Sequence, residues 1–285
     1  MDDNDMRTLA SKLTATVLRA GAVTLHYFKN DAQNASEKAD GSPVTLADQE
    51  AEVVILNDLK KLVPDIPVIA EEAVSRGEVP DVGSRFFLVD PLDGTREFTG
   101  GSGEFTVNIG LIENGEPVFG IVYAPALGDF YVTLGKAEVA MGKVANPAQP
   151  GDAGIASLDL KAILTRGVPD EGLTVVASKS HGTSEGEAYL DGLPLPVTGR
   201  RNIGSSLKFC LVARGEADLY PRYGPTMEWD TAAGHAVLKA AGGLVTTIDG
   251  APFRYGKTDA GYRNSGFIVY SSEALRQRLA GGKTS

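Results

Sequence analysis

The stretch Phe87-Leu88-Val89-Asp90-Pro91-Leu92-Asp93-Gly94-Thr95 joins a short apolar strand to two carboxylates and a hydroxyl. Open α/β sheets bind their ligands at the carboxyl ends of strands, so we expect Asp90 and Asp93 to lie beside a binding site. Pro91 has no N–H and is expected to stop the strand, and Gly94 tolerates a positive φ. The chain can therefore turn tightly here and bring both carboxylates toward one point.

Two other acidic positions follow predicted elements. Glu71 and Glu72 come after the apolar residues 67–70, and Asp230 comes after Trp229. Adjacent side chains on an extended chain point to opposite sides, so only one of the two glutamates is expected to face the site. Asp230 opens a predicted helix, where it suits either an N-cap or a metal ligand.

The types of residue available indicate which metal would bind. Carboxylate oxygens, in a chain with one Cys and three His, favour Mg²⁺ or Mn²⁺ over Zn²⁺. Four or five carboxylates in one cleft repel one another unless two or more cations lie between them. The sequence therefore predicts a site with more than one hard cation.

Composition limits the possible functions. The 285 residues are 42% hydrophobic and 22% charged, which is ordinary globular usage, and the formal net charge of −10 argues against broad nucleic-acid binding. A small phosphorylated substrate stays compatible if divalent cations neutralise the site. The start of the chain has no signal-peptide pattern and no stretch reaches membrane-spanning length, so we predict a cytoplasmic protein without membrane insertion. The single Cys210 excludes an intrachain disulfide.

The pattern of elements predicts a mixed α/β (α+β) fold in two lobes. Apolar residues at helical spacing predict two opening helices over residues 6–28 and 45–62, and a strand-rich block with an Asn114-Gly115 hairpin turn follows. Residues 142–172 are rich in Gly, Pro, Ala and Asp, so we place the lobe boundary there, dividing the chain into 1–143 and 144–285. In the second lobe strands and helices alternate, with strands expected at 173–177, 195–197, 217–220, 244–247 and 267–270 and helices at 182–190, 205–213, 231–241 and 272–279.

Three motifs together resemble a known family. Glu71-Glu72, the Asp90–Thr95 motif and Trp229-Asp230-Thr231-Ala232-Ala233-Gly234 look like the signature of the inositol-monophosphatase superfamily of Mg²⁺-dependent, Li⁺-sensitive phosphatases. Residues 96–98, 103–109, 204–210 and 219–226 resemble more narrowly the bacterial 3′(2′),5′-bisphosphate nucleotidases. The resemblance implies a layered αβαβα sandwich with the active site between two lobes. It also implies hydrolysis of adenosine 3′,5′-bisphosphate to AMP and phosphate, as in sulfate assimilation.

The resemblance implies roles for individual residues. Two or three Mg²⁺ ions, for which Mn²⁺ could substitute, would be held by Glu71, Asp90, Asp93, Asp230 and the backbone carbonyl of Leu92. Glu71 and the Thr95 hydroxyl would hold the attacking water, with Asp93 as the further catalytic acid, and attack would be direct. The N–H groups of Gly94 and Thr95 would contact the phosphate, and Asp230 would also contact the substrate.

A second phosphate on the substrate calls for basic groups on the far side of the cleft. Ser205 and Lys208, one turn apart at a predicted helix start, and Arg222 are the expected contacts, although lysines are more often ordinary surface residues. Weaker candidates are Lys38, Arg200, Arg201 and His181 on the substrate side, and Glu72 and Asp48 on the metal side. Asp48 suits either a third metal's water shell or a helix N-terminal acid.

Other functions remain open at this stage. Haloacid-dehalogenase-type phosphatases use Asp-x-Asp, whereas the two acids here are three positions apart. An inositol or other sugar monophosphatase of the same superfamily is the main alternative. A non-catalytic metal-binding protein is disfavoured by the presence of Glu71, Asp93 and Thr95 together, and the sequence leaves monomer and homodimer equally open.

Overall fold

The computed structural model describes residues 1–30, 36–37, 43–44, 46–151, 153–178 and 183–281. The helices within these ranges are α1 (Asp3–Asn30), α2 (Leu46–Leu62), α3 (Glu71–Ser75), α4 (Thr95–Thr99), α5 (Ser184–Asp191), α6 (Leu207–Ala213), α7 (Glu228–Ala240) and α8 (Glu273–Gly281). The strands of the first part are β1 (Ser36–Glu37), β2 (Pro43–Val44), β3 (Val68–Ala70), β4 (Arg85–Asp93), β5 (Thr106–Glu113), β6 (Glu116–Ala124), β7 (Asp129–Gly135), β8 (Glu138–Lys143) and β9 (Lys161–Ala162). Those of the second part are β10 (Leu173–Ser178), β11 (Val197–Ile203), β12 (Leu219–Arg222), β13 (Thr226–Met227), β14 (Leu244–Thr247), β15 (Arg263–Asn264) and β16 (Phe267–Tyr270).

Two large sheets organise the described chain. One has seven strands in the order β3-β4-β5-β6-β7-β8-β9, antiparallel except for the β3–β4 pair. The other has five strands in the order β11-β10-β12-β16-β14, with β10 parallel to both its neighbours. Helices α1 and α2 cover the outer face of the first sheet, α6 and α7 lie between the sheets, and α5 and α8 cover the second. The predicted αβαβα sandwich is therefore confirmed.

Most elements lie close to their predicted positions. The opening helices are confirmed, and Asn114 and Gly115 make the hairpin turn with φ of 53° and 76°. The strand expected at 195–197 is instead β11, which begins at Val197. The division at residue 143 stays a prediction, and the first sheet includes β9 beyond it.

Two local expectations near the acidic motif were wrong. Pro91 does not stop its strand: β4 continues to Asp93, with its pairing to β5 irregular between Asp90 and Asp93. Proline removes a ladder donor but allows extended backbone, so the result is a bulge and not a strand end. Glu71 and Glu72 do not lie on an extended chain, because they begin the short helix α3.

A pair of glycines lets α7 pack unusually close to the first sheet. Gly110 on β5 and Gly120 on β6 are direct register partners. A Cβ at Gly110 would lie 2.8 Å from the Ala232 Cβ, and one at Gly120 would clash with the Ala233 carbonyl oxygen. Both contacts are with the first half of α7, which carries Asp230. The glycine pair therefore sets how near Asp230 comes to the acids of β4.

We predict that Gly120→Ala lowers the free energy of unfolding by about 3 kcal/mol, because the new methyl meets helix backbone that can yield only if α7 shifts. Urea unfolding measures this change. Gly83→Ala is the matched control, since no atom lies within 4 Å of a Cβ at that position. Equal stability of the two variants would contradict the proposed close packing.

Candidate active site

A cleft of about 410 Å³ opens between the two sheets. Its walls combine residues of the acidic motif, the α6 region and the start of α7. The lining residues are Glu71, Asp93, Gly94, Thr95, Arg96, Glu97, Ser205, Lys208, Phe209, Tyr220, Arg222, Pro225, Thr226, Met227, Asp230, Thr231, Arg263 and Phe267. Asp90 and Leu92 lie behind this lining, 1% exposed each.

Three elements deliver the acids. Asp93 ends β4, Glu71 is the first residue of α3, and Asp230 is the third residue of α7. One oxygen of each aspartate is bound by a backbone amide: Leu92 N donates to Asp90 Oδ1 over 2.9 Å, and Met227 N to Asp230 Oδ2 over 2.7 Å. Asp230 is thus part of the N-terminal cap of its helix while it also lines the cleft. Ser206 N donates to Asp93 Oδ2.

These acids repel one another. Burial raises the pKa of Asp90 well above its usual range, and the charges of Glu71, Asp93 and Asp230 raise it further. Burial raises the pKa of Asp93 to about 6, while the Lys208 ammonium and the Ser206 N–H act in the opposite direction. The pKa of Asp230 is also well above the usual value, through burial and then through Asp93 and Glu71. Cations between the acids would relieve this repulsion.

The acids fit a hard cation in their chemistry. All of them offer oxygen, which suits Mg²⁺. As the side chains stand, no three His, Cys, Asp or Glu groups in the described part of the chain lie close enough to share one ion. Carboxylates that repel one another are expected to spread apart until a cation draws them together.

Two basic side chains line the same cleft, Lys208 from helix α6 and Arg222 from strand β12. Lys208 is 7% exposed and Arg222 is 8% exposed, so neither is an ordinary surface residue. Burial lowers the pKa of Lys208 to about 8, and the Asp93 carboxylate acts in the opposite direction. The Arg222 guanidinium donates to the carbonyls of Gly224 and Pro225, each over 3.2 Å, which fixes its direction. Ser205 precedes α6 by two residues and does not lie on it, with a strained φ of 51°.

The end of the acidic motif forms the cleft floor. Gly94 has φ of 95° and is the N-cap of α4, which begins at Thr95. A Cβ at Gly94 would lie 3.3 Å from the Ser205 Cβ, so the two sides of the cleft approach closely here. A glycine is needed at this position both for its φ and for this close approach.

The weaker candidates differ in where they lie relative to the cleft. Glu72 is buried away from the cleft lining, and its amide donates to Glu52 Oε2 over 2.7 Å. Asp48 is buried in the first turn of α2 and adds to the raised pKa of Asp90, so it is both a helix N-terminal acid and a neighbour of the site. Arg200 and Arg201 are exposed on β11 and do not line the cleft, and Arg200 pairs with Glu187. Lys38 and His181 lie outside the described residues.

The structure adds cleft residues that the sequence prediction did not assign. Arg96, Glu97, Met227 and Arg263 all line the cleft. Arg96 and Glu97 directly follow Thr95, so their position next to the motif was a usable signal. Arg263 reaches the cleft because β15 pairs with β13 just before α7, and nothing local in the sequence indicates that pairing.

Comparison with known proteins agrees with this geometry. A family model described as the inositol monophosphatase family matches residues 5–280. The 3′(2′),5′-bisphosphate nucleotidase CysQ of Escherichia coli strain K12 is 47% identical over 232 residues, covering 81% of this chain and 87% of that protein. The protein of the same name from Buchnera aphidicola is 36% identical over 274 residues, covering 94% and 95%.

Solved structures give the same result. The crystal structure of CysQ from Bacteroides thetaiotaomicron, a bacterial member of the inositol monophosphatase family, aligns with TM-score 0.76 and 36% identity over 93% of this chain and 97% of that one. An inositol monophosphatase from Zymomonas mobilis aligns with TM-score 0.73 and 26% identity over 98% of each chain.

Enzymes of this family are generally Mg²⁺-dependent, in keeping with the acids of the cleft. Within the described ranges no helix has both the length and the apolar character needed to cross a bilayer. With a family model matched over residues 5–280 and relatives up to 47% identical over four fifths of its length, this chain belongs to the inositol monophosphatase family.

Proposed function

We propose that this chain is a Mg²⁺-dependent phosphomonoesterase that hydrolyses the 3′-phosphate of adenosine 3′,5′-bisphosphate to AMP and phosphate. The observation that carries the proposal is a single cleft in which acids for cations face two buried basic side chains, Lys208 and Arg222. The relatives in Escherichia coli and Buchnera aphidicola are named 3′(2′),5′-bisphosphate nucleotidase, which supports the same substrate.

Glu71, Asp90, Asp93, Asp230 and the carbonyl of Leu92 would hold the cations. When bound, Mg²⁺ lowers the pKa of a water and stabilises negative charge on the leaving oxygen. Two or three ions, replacement by Mn²⁺ and inhibition by Li⁺ are part of the proposal. A hydrogen bond from a backbone N–H fixes one carboxylate oxygen in each of Asp90, Asp93 and Asp230. The other oxygen of each carboxylate would be available to a cation.

Glu71 and Thr95 prepare the attacking water. Both line the cleft, at the first residues of α3 and α4. The Thr95 hydroxyl can orient a water, and the Glu71 carboxylate can accept its proton. The phosphate can receive hydrogen bonds from the N–H groups of Gly94 and Thr95. Because water is the proposed nucleophile, attack needs no covalent enzyme intermediate.

Lys208, Arg222 and Ser205 hold the phosphate that is not cleaved. Buried basic side chains bind a phosphate more strongly than exposed ones, because water does not screen the attraction. With a pKa lowered to about 8, Lys208 stays mostly charged at neutral pH. The phosphate of a neutral polyol has no second anionic group for these cations, so the bisphosphate is the better match. We further propose a cytoplasmic location, with monomer and homodimer both compatible with the site.

We predict that adenosine 3′,5′-bisphosphate is turned over faster than inositol 1-phosphate at equal concentration, and that chelation of Mg²⁺ abolishes both rates. Release of inorganic phosphate measures the two initial rates. Faster hydrolysis of the inositol ester would contradict the substrate proposal and favour a sugar monophosphatase.

A matched pair of variants tests whether Lys208 causes the preference for the bisphosphate over the inositol ester. Lys208→Gln is expected to raise KM for the bisphosphate by about tenfold or more, because it removes a buried contact to the second phosphate. Lys239→Gln removes the same charge from a residue paired with Glu116 outside the cleft lining, and is expected to leave KM unchanged.

The substitution Asp93→Asn keeps the shape of the side chain and removes its charge. We expect kcat to fall by about a hundredfold or more, because a cation ligand is lost. The metal-free variant is expected to be more stable than the metal-free wild type above pH 6, by up to about 3 kcal/mol, because Asp93 then carries a buried charge.

The direction of this pH dependence follows from the raised pKa. The pKa of Asp93 is about 6 in the folded state and 3.8 in the unfolded state. Asp93 therefore lowers the free energy of unfolding by an increasing amount as the pH rises from 4 to 6. Below pH 4 the wild type and Asp93→Asn should converge. Urea unfolding in a chelator measures the difference, with exposed Asp191→Asn as control. Normal turnover by Asp93→Asn would remove Asp93 from the cation ligands.

A further inference from the structure

Three hydrogen bonds that involve side chains join residues 204–206 to the β5 region of the seven-stranded sheet. Gly204 N donates to Glu104 Oε2 over 2.8 Å, and the Ser206 hydroxyl donates to Asn108 Oδ1 over 2.8 Å. The Ser206 hydroxyl also lies 2.9 Å from the Thr106 hydroxyl. Because the segment follows β11 of the five-stranded sheet and its partners lie on or beside β5, these bonds join the two sheets at the cleft.

Residues 204–206 contact both the acids and the substrate side of the cleft. Ser206 N donates to Asp93 Oδ2, while its neighbour Ser205 lines the cleft beside Lys208. A displacement of Ser206 would therefore move an acid and a substrate contact together.

Strand register places the partners of Ser206 next to the acids. Thr106 is opposite Asp93, and Asn108 is opposite Asp90. Directly opposite residues in an antiparallel pair have Cβ atoms about 4.5 to 5.5 Å apart on the same face of the sheet. Thr106 and Asn108 are 0% exposed and Ser206 is 1% exposed, so their hydrogen bonds form without competing water.

Asn108 has one further polar group in this region. Its Nδ2 is buried and has no hydrogen-bond partner among the described residues. A buried donor without a partner is unfavourable by about 1 to 3 kcal/mol, so its retention beside Asp90 needs a reason. A carboxylate drawn toward a cation on that face would provide the acceptor.

We propose that Ser206 and Asn108 are positioning residues that set the direction of the Asp93 and Asp90 carboxylates for divalent-cation binding. The proposal rests on the cation-dependent function above. Partners that orient metal ligands typically change metal affinity by about 10- to 100-fold when removed. Ser206→Ala keeps the amide that donates to Asp93 and the Gly204–Glu104 bond, and removes both hydroxyl contacts to β5.

The test is Mn²⁺ binding to the whole chain, measured by isothermal titration without substrate. We expect Ser206→Ala and Asn108→Ala each to weaken Mn²⁺ binding by about tenfold or more. Ser271→Ala is the matched control, because Ser271 is 0% exposed and its hydroxyl has no hydrogen-bond partner in the described chain. If Ser206→Ala does not fold, Thr106→Val is the alternative variant. It removes the Thr106 hydroxyl that contacts Ser206 and is expected to weaken Mn²⁺ binding several-fold.

The outcomes separate the inference from the function beneath it. Wild-type affinity in folded Ser206→Ala and Asn108→Ala, even with a lowered Tm, would overturn the inference and show that the bonds only stabilise the fold. Absence of Mn²⁺ binding by the wild type would overturn the proposed function and this inference together. Weaker binding by the variants but not by Ser271→Ala would support the positioning role.

Discussion

The site depends on bringing like charges together out of water. Asp90, Asp93 and Asp230 come from two distant parts of the sequence, and burial and mutual repulsion raise the pKa of each. Such a group opposes folding unless other interactions hold it in place. Here the holding interactions are backbone amides on each aspartate and the close seating of α7 on the Gly110–Gly120 pair. The repulsion that remains would favour the proposed binding of divalent cations.

The same geometry explains why both sheets contribute. The first sheet and α3 supply Asp90, Asp93 and Glu71. Helix α6 supplies Lys208, and strand β12 of the second sheet supplies Arg222. Charges of opposite sign therefore face each other across the cleft, and each partly compensates the burial of the other, as Asp93 does for Lys208. A substrate with two phosphates can meet cations on one side and basic side chains on the other. The membership in the inositol monophosphatase family and the layered fold are consistent with this arrangement.

The sequence predicted those features that are encoded locally. The apolar run into Asp90 and Asp93, the Asn114-Gly115 turn and the helical spacing of the opening segment are short-range patterns, and the structure has each of them. Features that need distant partners were not predicted. Strand β4 continues past Pro91 because β5 pairs with Asp90 before it and with Asp93 after it. The role proposed for Ser206 depends on its hydrogen bond to Asn108, which is far away in the sequence. Arg263 reaches the cleft through a two-strand pairing with no local signature.

The most direct measurement of the central claim is anomalous scattering from a crystal of this chain grown with Mn²⁺. We expect anomalous peaks within ligand distance, about 2.0 to 2.4 Å, of carboxylate oxygens of Asp90, Asp93, Glu71 or Asp230. Peaks only elsewhere on the protein, with these side chains still apart, would contradict it.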